Sequence, residues 1–530
     1  MIGESFLVGG RMEIVMNENA IMVPDIHRAI TALIRYKREK RALEERLIHE
    51  NEIWKRVYGG GESSSWIFNS IVNKHADVID SIPTCVCLPR EKRDEAYAAK
   101  LSKVLPVICE RCGFEQIYSD NAWEKLKHGT AVYGIFWNSS LEDGLGDVDL
   151  RQLSLSDIFW ESGVGDIQDS KNLFIIKLCD REEIEARFCG FDYSKHRESD
   201  LSLRSALEIG GGDDKCLLVD WYYKKVQSDG TRVLHLCKFV GDSILYASEN
   251  DENCASGWYA HGQYPVVIDR FYPTGEAWGF GLISIASTTQ SYINRIDGDM
   301  LDYADWASKV RFWAKRSLGV NEKEFLDLER SIVEVEGDID EEKLRQIEIS
   351  PIDDSVIDVR RMKIDELKEV TGSRDVSQGG YSSSVTAASA ISILREAGAK
   401  SSRDGIEESF RAYVKLISLI IELIRQFYTE KRIFRIVGES GLNEYVEVSG
   451  RETEDGGRRA HFDIEVSARK KSPSEAAKKN EFAKALYDSG AFKRENASET
   501  LMMLDLMDFE GIGNLKATLR SLYGEDGAAV

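Results

Sequence analysis

The chain lacks any apolar run long enough to cross a bilayer. Its longest, Leu416–Ile424 (LISLIIELI), contains Glu422 and is far short of the roughly 20 residues a span requires. Met1–Arg11 lacks a basic start followed by an apolar stretch, so no secretory leader is expected. Cysteine is sparse and odd in number, nine in 530 residues. Without a leader, these are expected to be reduced thiols inside a cell rather than a disulfide framework. Positive charge is also short: 69 Lys and Arg stand against 91 Asp and Glu, a formal net charge of −22. This argues against an ordinary nucleic-acid binder, which needs many phosphate-neutralising cations. It leaves room for a protein that lets DNA pass without gripping it.

Catalytic signatures are missing too. There is no Gly-x4-Gly-Lys-Ser/Thr, no His-Glu-x-x-His and no Gly-x-Ser-x-Gly, and the eight histidines are dispersed. Gly275–Gly281 (GEAWGFG) is glycine-rich before a helix but lacks the dinucleotide fingerprint, which leaves turn and cap chemistry. Cys85, Cys87, Cys109 and Cys112 have spacings that four thiolates on zinc would use. However, Cys109 and Cys112 sit i, i+3 on an apolar helix face, where cysteine acts as a small hydrophobe. No cofactor and no enzyme activity are expected.

What is present is a split α+β pattern. Pro24 and Asp25 signal a helix start, and the helical pattern runs to about Val57. Within it lies a basic cluster of Arg35, Lys37, Arg38, Lys40 and Arg41, read as a solvated face studded with Glu44 and Glu45. After the break Gly59–Ser65, a second helical segment spans Trp66–Ile79. Leu173–Cys179 reads as a buried strand. The runs CLLVDWYYKKV and RVLHLCKFV flank a turn at Asp229-Gly230 and read as a β-hairpin. Strands at Arg432–Gly438 and His461–Ala468 arrive nearly two hundred residues later, which suggests one α+β domain split around an insertion.

The insertion opens with an amphipathic helix after Tyr272. Next comes Asn321–Asp358, with 14 acids against 4 bases, and then a helix at about Val356–Val370. A long helix is expected from about Thr386 to Tyr428, with the stripe Ile406, Phe410, Tyr413, Val414, Ile417, Ile420, Ile421, Ile424 and Phe427. Gly398 and Gly405 are positions where it could bend. The last segment, Ser472–Tyr523, reads as short helices broken at Gly490 and at 511–513.

Four stretches in this order resemble the portal proteins of tailed double-stranded-DNA bacteriophages. They are SWIFNSIVNKHADVIDSIPTCVCLP (Ser65–Pro89), YPTGEAWGFGLISIASTTQSYIN (Tyr272–Asn294), VTGSRDVSQGGYSSSVTAASAISILREAGAK (Val370–Lys400) and FDIEVSARKKSPSEAAKKNEFAKALYDSGAF (Phe462–Phe492). The resemblance covers about residues 60 to 510. It implies a phage portal fold with long stem and wing helices, a β-rich wing, an α/β clip and a helical crown, assembled as a ring of, in most members, twelve copies.

Carried onto this chain, the resemblance implies an N-terminal helical segment 1–59, wing 60–280, stem helix 281–305, clip 306–358 and second stem helix 359–372. A tunnel loop follows at 373–386, then the long helix and wing closure 387–470 and a short crown 471–530. The implied function is a DNA channel at one capsid vertex, used for packaging, head–tail joining and ejection. The implied partners are terminase, major capsid and scaffolding proteins, head-completion or tail proteins, and double-stranded DNA held weakly and non-specifically. No membrane is implied. The implied location is the virion, after assembly in the host bacterial cytoplasm. The competing reading is a cellular α+β enzyme or scaffold.

The resemblance gives the uncharged stretch after Asp375 a physical purpose. DNA carries about one negative charge per 1.7 Å, so a basic loop on every copy would grip it and an acidic one would repel it. Ser373, Arg374, Ser377, Gln378, Gly379, Gly380, Tyr381, Ser382, Ser383 and Ser384 are the candidate tunnel-loop residues. Their glycines and serines give a nearly uncharged contact that can follow a moving duplex. The bland alternative is a surface linker. Lys309, Arg311, Lys315 and Arg316 end the first stem helix. They are expected either to touch phosphates or, the favoured reading, to pair with acids of the next subunit's clip. The partner of Arg35–Arg41 stays open between terminase, scaffold and none.

Overall fold

A computed structural model describes residues 24–58, 65–188, 190–226, 230–254, 257–308, 312–314, 323, 344–346, 351–372, 400–437, 443–450, 454–455, 458–468, 485–490, 497–505, 515–516 and 518–519. The fold is α+β, and its described residues form two compact units. The larger draws on stretches 1–50, 71–284 and 386–530, the smaller on 51–70 and 285–385.

Among its described residues, the larger unit is built on two antiparallel sheets, a β-ribbon that joins early and late strands, and further two-stranded pairings such as Arg432–Val437 with Asn443–Val448. In the three-stranded sheet, Thr130–Asn138 lies between Asp147–Leu153 and Val266–Arg270. The five-stranded sheet runs Ile158–Trp160, Asn172–Asp180, Lys215–Val226, Arg232–Val240 and Ser243–Ala247 in sequential order. Its central hairpin is the one expected around Asp229-Gly230, and Gly230 has the positive φ (84°) that such turns demand. The ribbon pairs Pro83–Pro89 with Phe462–Ala468, so a late strand does return to an early one.

The long helix is described over Lys400–Phe427, and residues 386–399 lie outside the described set. Within the described part, the expected stripe faces inward: Tyr413, Ile417, Ile420, Ile421 and Ile424 are buried in the main core. Leu416, Leu419 and Leu423 join them, so the buried face is wider than the stripe read from sequence. A Cβ at Gly405 would come within 2.7 Å of the Phe271 ring, so glycine serves close approach. Beside it, Lys125 Nζ donates to Asp269 Oδ1 (2.5 Å), Ser409 Oγ (2.7 Å) and the Gly405 carbonyl (2.8 Å). Ser409 Oγ donates in turn to Asp269 Oδ2 (2.7 Å). Lys125 and Asp269 are buried, and burial pushes the Asp269 carboxyl up while Lys125 and Ser409 oppose it. This polar knot ties helix Phe114–His128, strand Val266–Arg270 and the long helix together.

The N-terminal helix expected to run unbroken to about Val57 is two helices, Ile26–Glu39 and Arg41–Tyr58. Asp25 caps the first, accepting from the Arg28 N–H (3.0 Å). The interruption falls at Lys40, whose ammonium leaves the solvated face and donates to the carbonyls of Ile158 (2.6 Å) and Leu155. It also sits over the Phe159 ring at 4.4 Å. Burial lowers its pKa to about 7.

The four cysteines with zinc-like spacing are not gathered around one point. Cys85 and Cys109 each sit 3.9 Å from Tyr413 Oη, and Cys112 Sγ donates to the Val148 carbonyl. Burial raises the Cys85, Cys87 and Cys112 thiols to about 11, 12 and 12. Among the described residues, no group of three or more His, Cys, Asp and Glu is placed to hold a metal ion.

Candidate functional site

The residues singled out for the channel lie outside the described set. This holds for Ser373, Arg374, Ser377, Gln378, Gly379, Gly380, Tyr381, Ser382, Ser383 and Ser384, and for Lys309, Arg311, Lys315 and Arg316. What is described is the pair of helices that bring the chain to both segments.

The first helix, Leu282–Ser308, ends just before Lys309. The second, Asp354–Thr371, ends just before Ser373. Its start is fixed by Asp353, whose carboxylate accepts from the Ser355 N–H (2.9 Å) and is held below the usual carboxylate range by that bond. Its end is fixed by Gly372 in the left-handed conformation (φ 69°), with its N–H bonded to the Glu369 carbonyl. That is the glycine stop expected of a helix C-terminus.

Within the smaller unit, polar contacts join the two helices. Arg360 clasps Asp297, with Nη2 to Oδ2 at 3.3 Å and a second bond from Nε to Oδ1. Thr289 Oγ1 donates to Glu366 Oε1 (3.4 Å), and Lys363 Nζ stands 5.6 Å from the Tyr292 ring centroid. Segment 65–70 adds the Ile67 N–H, which donates to Gln290 Oε1, and a contact between the Ser70 and Thr371 hydroxyls. The helices also leave apolar side chains uncovered. Val359, Met362 and Val370 of the second helix and Tyr292 and Leu301 of the first are exposed, Met362 to 67% and Leu301 to 63%. The first helix carries Asp297, Asp299, Asp302 and Asp305 against Arg295 alone. An acidic helix of this kind does not hold phosphate.

In the larger unit, the Gly-x-Gly entry to the first helix is a backbone-to-backbone junction. A Cβ at Gly281 would meet the Lys127 carbonyl oxygen at 2.4 Å, and one at Gly279 would meet the Gly129 carbonyl oxygen at 2.8 Å. Gly129 itself has φ 80°. Three glycines therefore let two chain segments touch where any side chain would hold them apart.

A polar clamp that sequence reasoning did not find braces this junction. Arg46 Nη2 donates to the Gly279 carbonyl (2.9 Å), and its guanidinium lies 4.7 Å from the Trp278 ring centroid. Buried Glu50 pairs with His128 Nδ1 (2.7 Å) and accepts from the Ser284 hydroxyl. The N-terminal helix thus acts as a brace, and no local pattern marked Arg46 or Glu50 for it. The basic cluster, by contrast, is largely spoken for. Lys37 pairs with Glu44 (2.7 Å), Arg41 with Glu45 (3.0 Å) and Arg35 with Glu39 (3.8 Å), while Lys40 is turned inward.

The model of the phage P22-like portal protein family matches residues 69–271 and 330–528. The chain belongs to this family. Its role is that of a bacteriophage portal, the head–tail connector, and the family is structural rather than enzymatic. Membership places it at the capsid vertex of the virion, in contact with capsid, terminase and DNA. No curated protein gives a match to the chain. No helix among the described residues is long and apolar enough to cross a membrane.

Proposed function

We propose that this portal protein closes into a ring of twelve copies around a channel that passes double-stranded DNA during packaging and ejection, and that it catalyses no reaction of its own. In this reading, 60–280 with 387–470 form the wing, 281–305 and 359–372 the stem, 306–358 the clip and 471–530 the crown. The tunnel loop, 373–386, lines the narrowest part of the channel. Terminase docks on the clip during packaging, and head-completion or tail proteins replace it. Capsid and scaffolding proteins surround the ring, which assembles in the host cytoplasm.

The observation that carries this reading is the helix pair Leu282–Ser308 and Asp354–Thr371. Its apolar side chains are exposed in the single chain, as expected of surface awaiting a neighbouring copy. Two further features support it. The acidic first helix suits a wall along which DNA slides, and the strands Phe312–Ala314 and Leu344–Gln346 pair antiparallel within the span assigned to the clip. Lys309, Arg311, Lys315 and Arg316 are assigned to pairing with acids of the next subunit.

The test is packaging. Particles built with proline at both Gly379 and Gly380, or with Ser383→Asp, should contain normal rings but shortened genomes. The aspartate repeats a negative charge around the bore at contact distance from phosphate. Full-length DNA packaged at the normal rate by both variants would remove the loop from the channel.

A further inference from the structure

We propose that Cys179 and Cys216 are a latent disulfide site, which a hydroperoxide converts into a covalent staple between two strands of the five-stranded sheet. The two residues are directly opposed in the antiparallel register of Asn172–Asp180 and Lys215–Val226. Opposed residues of such a pair have Cα atoms about 4.5–5.5 Å apart and side chains on one face. A disulfide accommodates Cα separations of about 4.4–6.8 Å, so the staple needs no rearrangement of the backbone.

Both thiols are free and buried in one apolar cluster with Ile184, Phe188, Tyr193 and Leu245. Other described cysteines on strands are placed differently. Cys85 and Cys87 lie two apart on one strand, opposite Val466 and Ile464, and Cys237 is opposed to Trp221 and Ala247. The staple would close a loop that carries the helices Arg181–Arg187 and Tyr193–Ala206.

The chemistry balances with the peroxide as sole oxidant. One thiolate attacks a peroxide oxygen, the O–O bond breaks with hydroxide leaving, and a sulfenic acid forms; the protons given up by the two thiols convert this hydroxide and the one lost in the next step into water. The second thiolate displaces hydroxide from that sulfur and the S–S bond forms. Two thiols and one hydrogen peroxide give one disulfide and two waters, with two electrons passing from sulfur to oxygen. Burial, then Asp200 and Cys179, push the Cys216 thiol up to about 12, and burial raises Cys179 as well. Since only the thiolate reacts, closure is slow near neutrality and quickens about tenfold per pH unit. In a virion the staple would accumulate after release from the reducing cell; that timing alone rests on the portal reading.

The full-length purified chain is exposed to hydrogen peroxide, alkylated in denaturant, digested with trypsin and mapped by mass spectrometry with and without reduction. The expected product is a linked peptide pair joining Cys179 and Cys216. It should form about ten times faster at pH 9 than at pH 8 and be accompanied by a rise in melting temperature. Cys179→Ala and Cys216→Ala should each abolish both the linked pair and the rise. Mapping the wild-type chain needs no variant, so a misfolded mutant leaves the result intact. Cys189 is released on a separate tryptic peptide, and a bond from it to either residue would overturn the assignment. So would alkylatable thiols persisting at 179 and 216 while other cysteines are oxidised.

Discussion

The long helix of the larger unit and the second helix of the smaller one both carry apolar side chains along one face, and these have opposite fates. In Lys400–Phe427, Tyr413, Leu416, Ile417, Leu419, Ile420, Ile421, Leu423 and Ile424 are buried by sheets and helices of the same chain. In Asp354–Thr371, Val359, Met362 and Val370 stay in solvent, and only Ile364, Leu367 and Thr371 are buried. The lesson is that an apolar stripe on a long helix does not by itself indicate subunit contact. The longer stripe is the more inviting one in the sequence, yet the chain uses it to build its own core. The shorter one is left for something else to cover.

The sharpest way to break this contrast is to open the core of the larger unit. Lys125→Met leaves the buried Asp269 carboxylate without its cation, and losing one partner of a buried pair costs about 3–5 kcal/mol. Chemical denaturation should show a loss of that size. Adding Asp269→Asn, which removes the stranded charge, should recover part of it. A Lys125→Met chain as stable as wild type would mean that the long helix is not pinned by this pair.

A smaller loss is expected at the glycine junction. Gly281→Ala puts a methyl group against the Lys127 carbonyl and forces the backbone apart, at a cost of about 1–3 kcal/mol. Thermal unfolding of the variant measures it, and an unchanged midpoint would mean that the segments do not touch there.

Lys40 gives a pH-dependent effect on the same unit. The folded amine releases its proton near pH 7, whereas the unfolded one holds it to the ordinary lysine value. Between those limits the unfolded chain binds more protons, so this residue's contribution to stability rises with pH. The unfolding midpoint of wild type relative to Lys40→Met should therefore rise from pH 7 to pH 9. A difference that stays constant over that range would place the amine in solvent.

The smallest effect on folding is expected in the smaller unit. Met362→Glu changes an exposed side chain and should alter single-chain stability by less than about 0.5 kcal/mol. It should nevertheless lower the yield of higher assemblies in sedimentation velocity. If assembly is untouched, the exposed residues of this helix are not an interface.

Local signals were legible where one segment decides its own structure. Trp66–Ile79 is the helix expected after the break at Gly59–Ser65, and Asp229-Gly230 marked the central hairpin. The sequence was silent where distant residues decide. The helix break at Lys40 is tied to carbonyls at Leu155 and Ile158, over a hundred positions away. The need for glycine at 281 comes from Lys127 and Gly129, and the Arg46–Glu50–His128 clamp joins residues 78 and 82 positions apart. For the channel, the sequence pattern located the flanking helices to within a few residues. The capping of the second by Asp353 and Gly372 emerges only with backbone geometry.

On the reading proposed above, further copies of the same chain complete the exposed helix pair. Electron microscopy of purified full-length protein tests it most directly. Closed rings with a central opening wide enough for a DNA duplex, and twelvefold symmetry in class averages, are the predicted result. Particles that remain single chains at micromolar concentration, in both low and moderate salt, would contradict it.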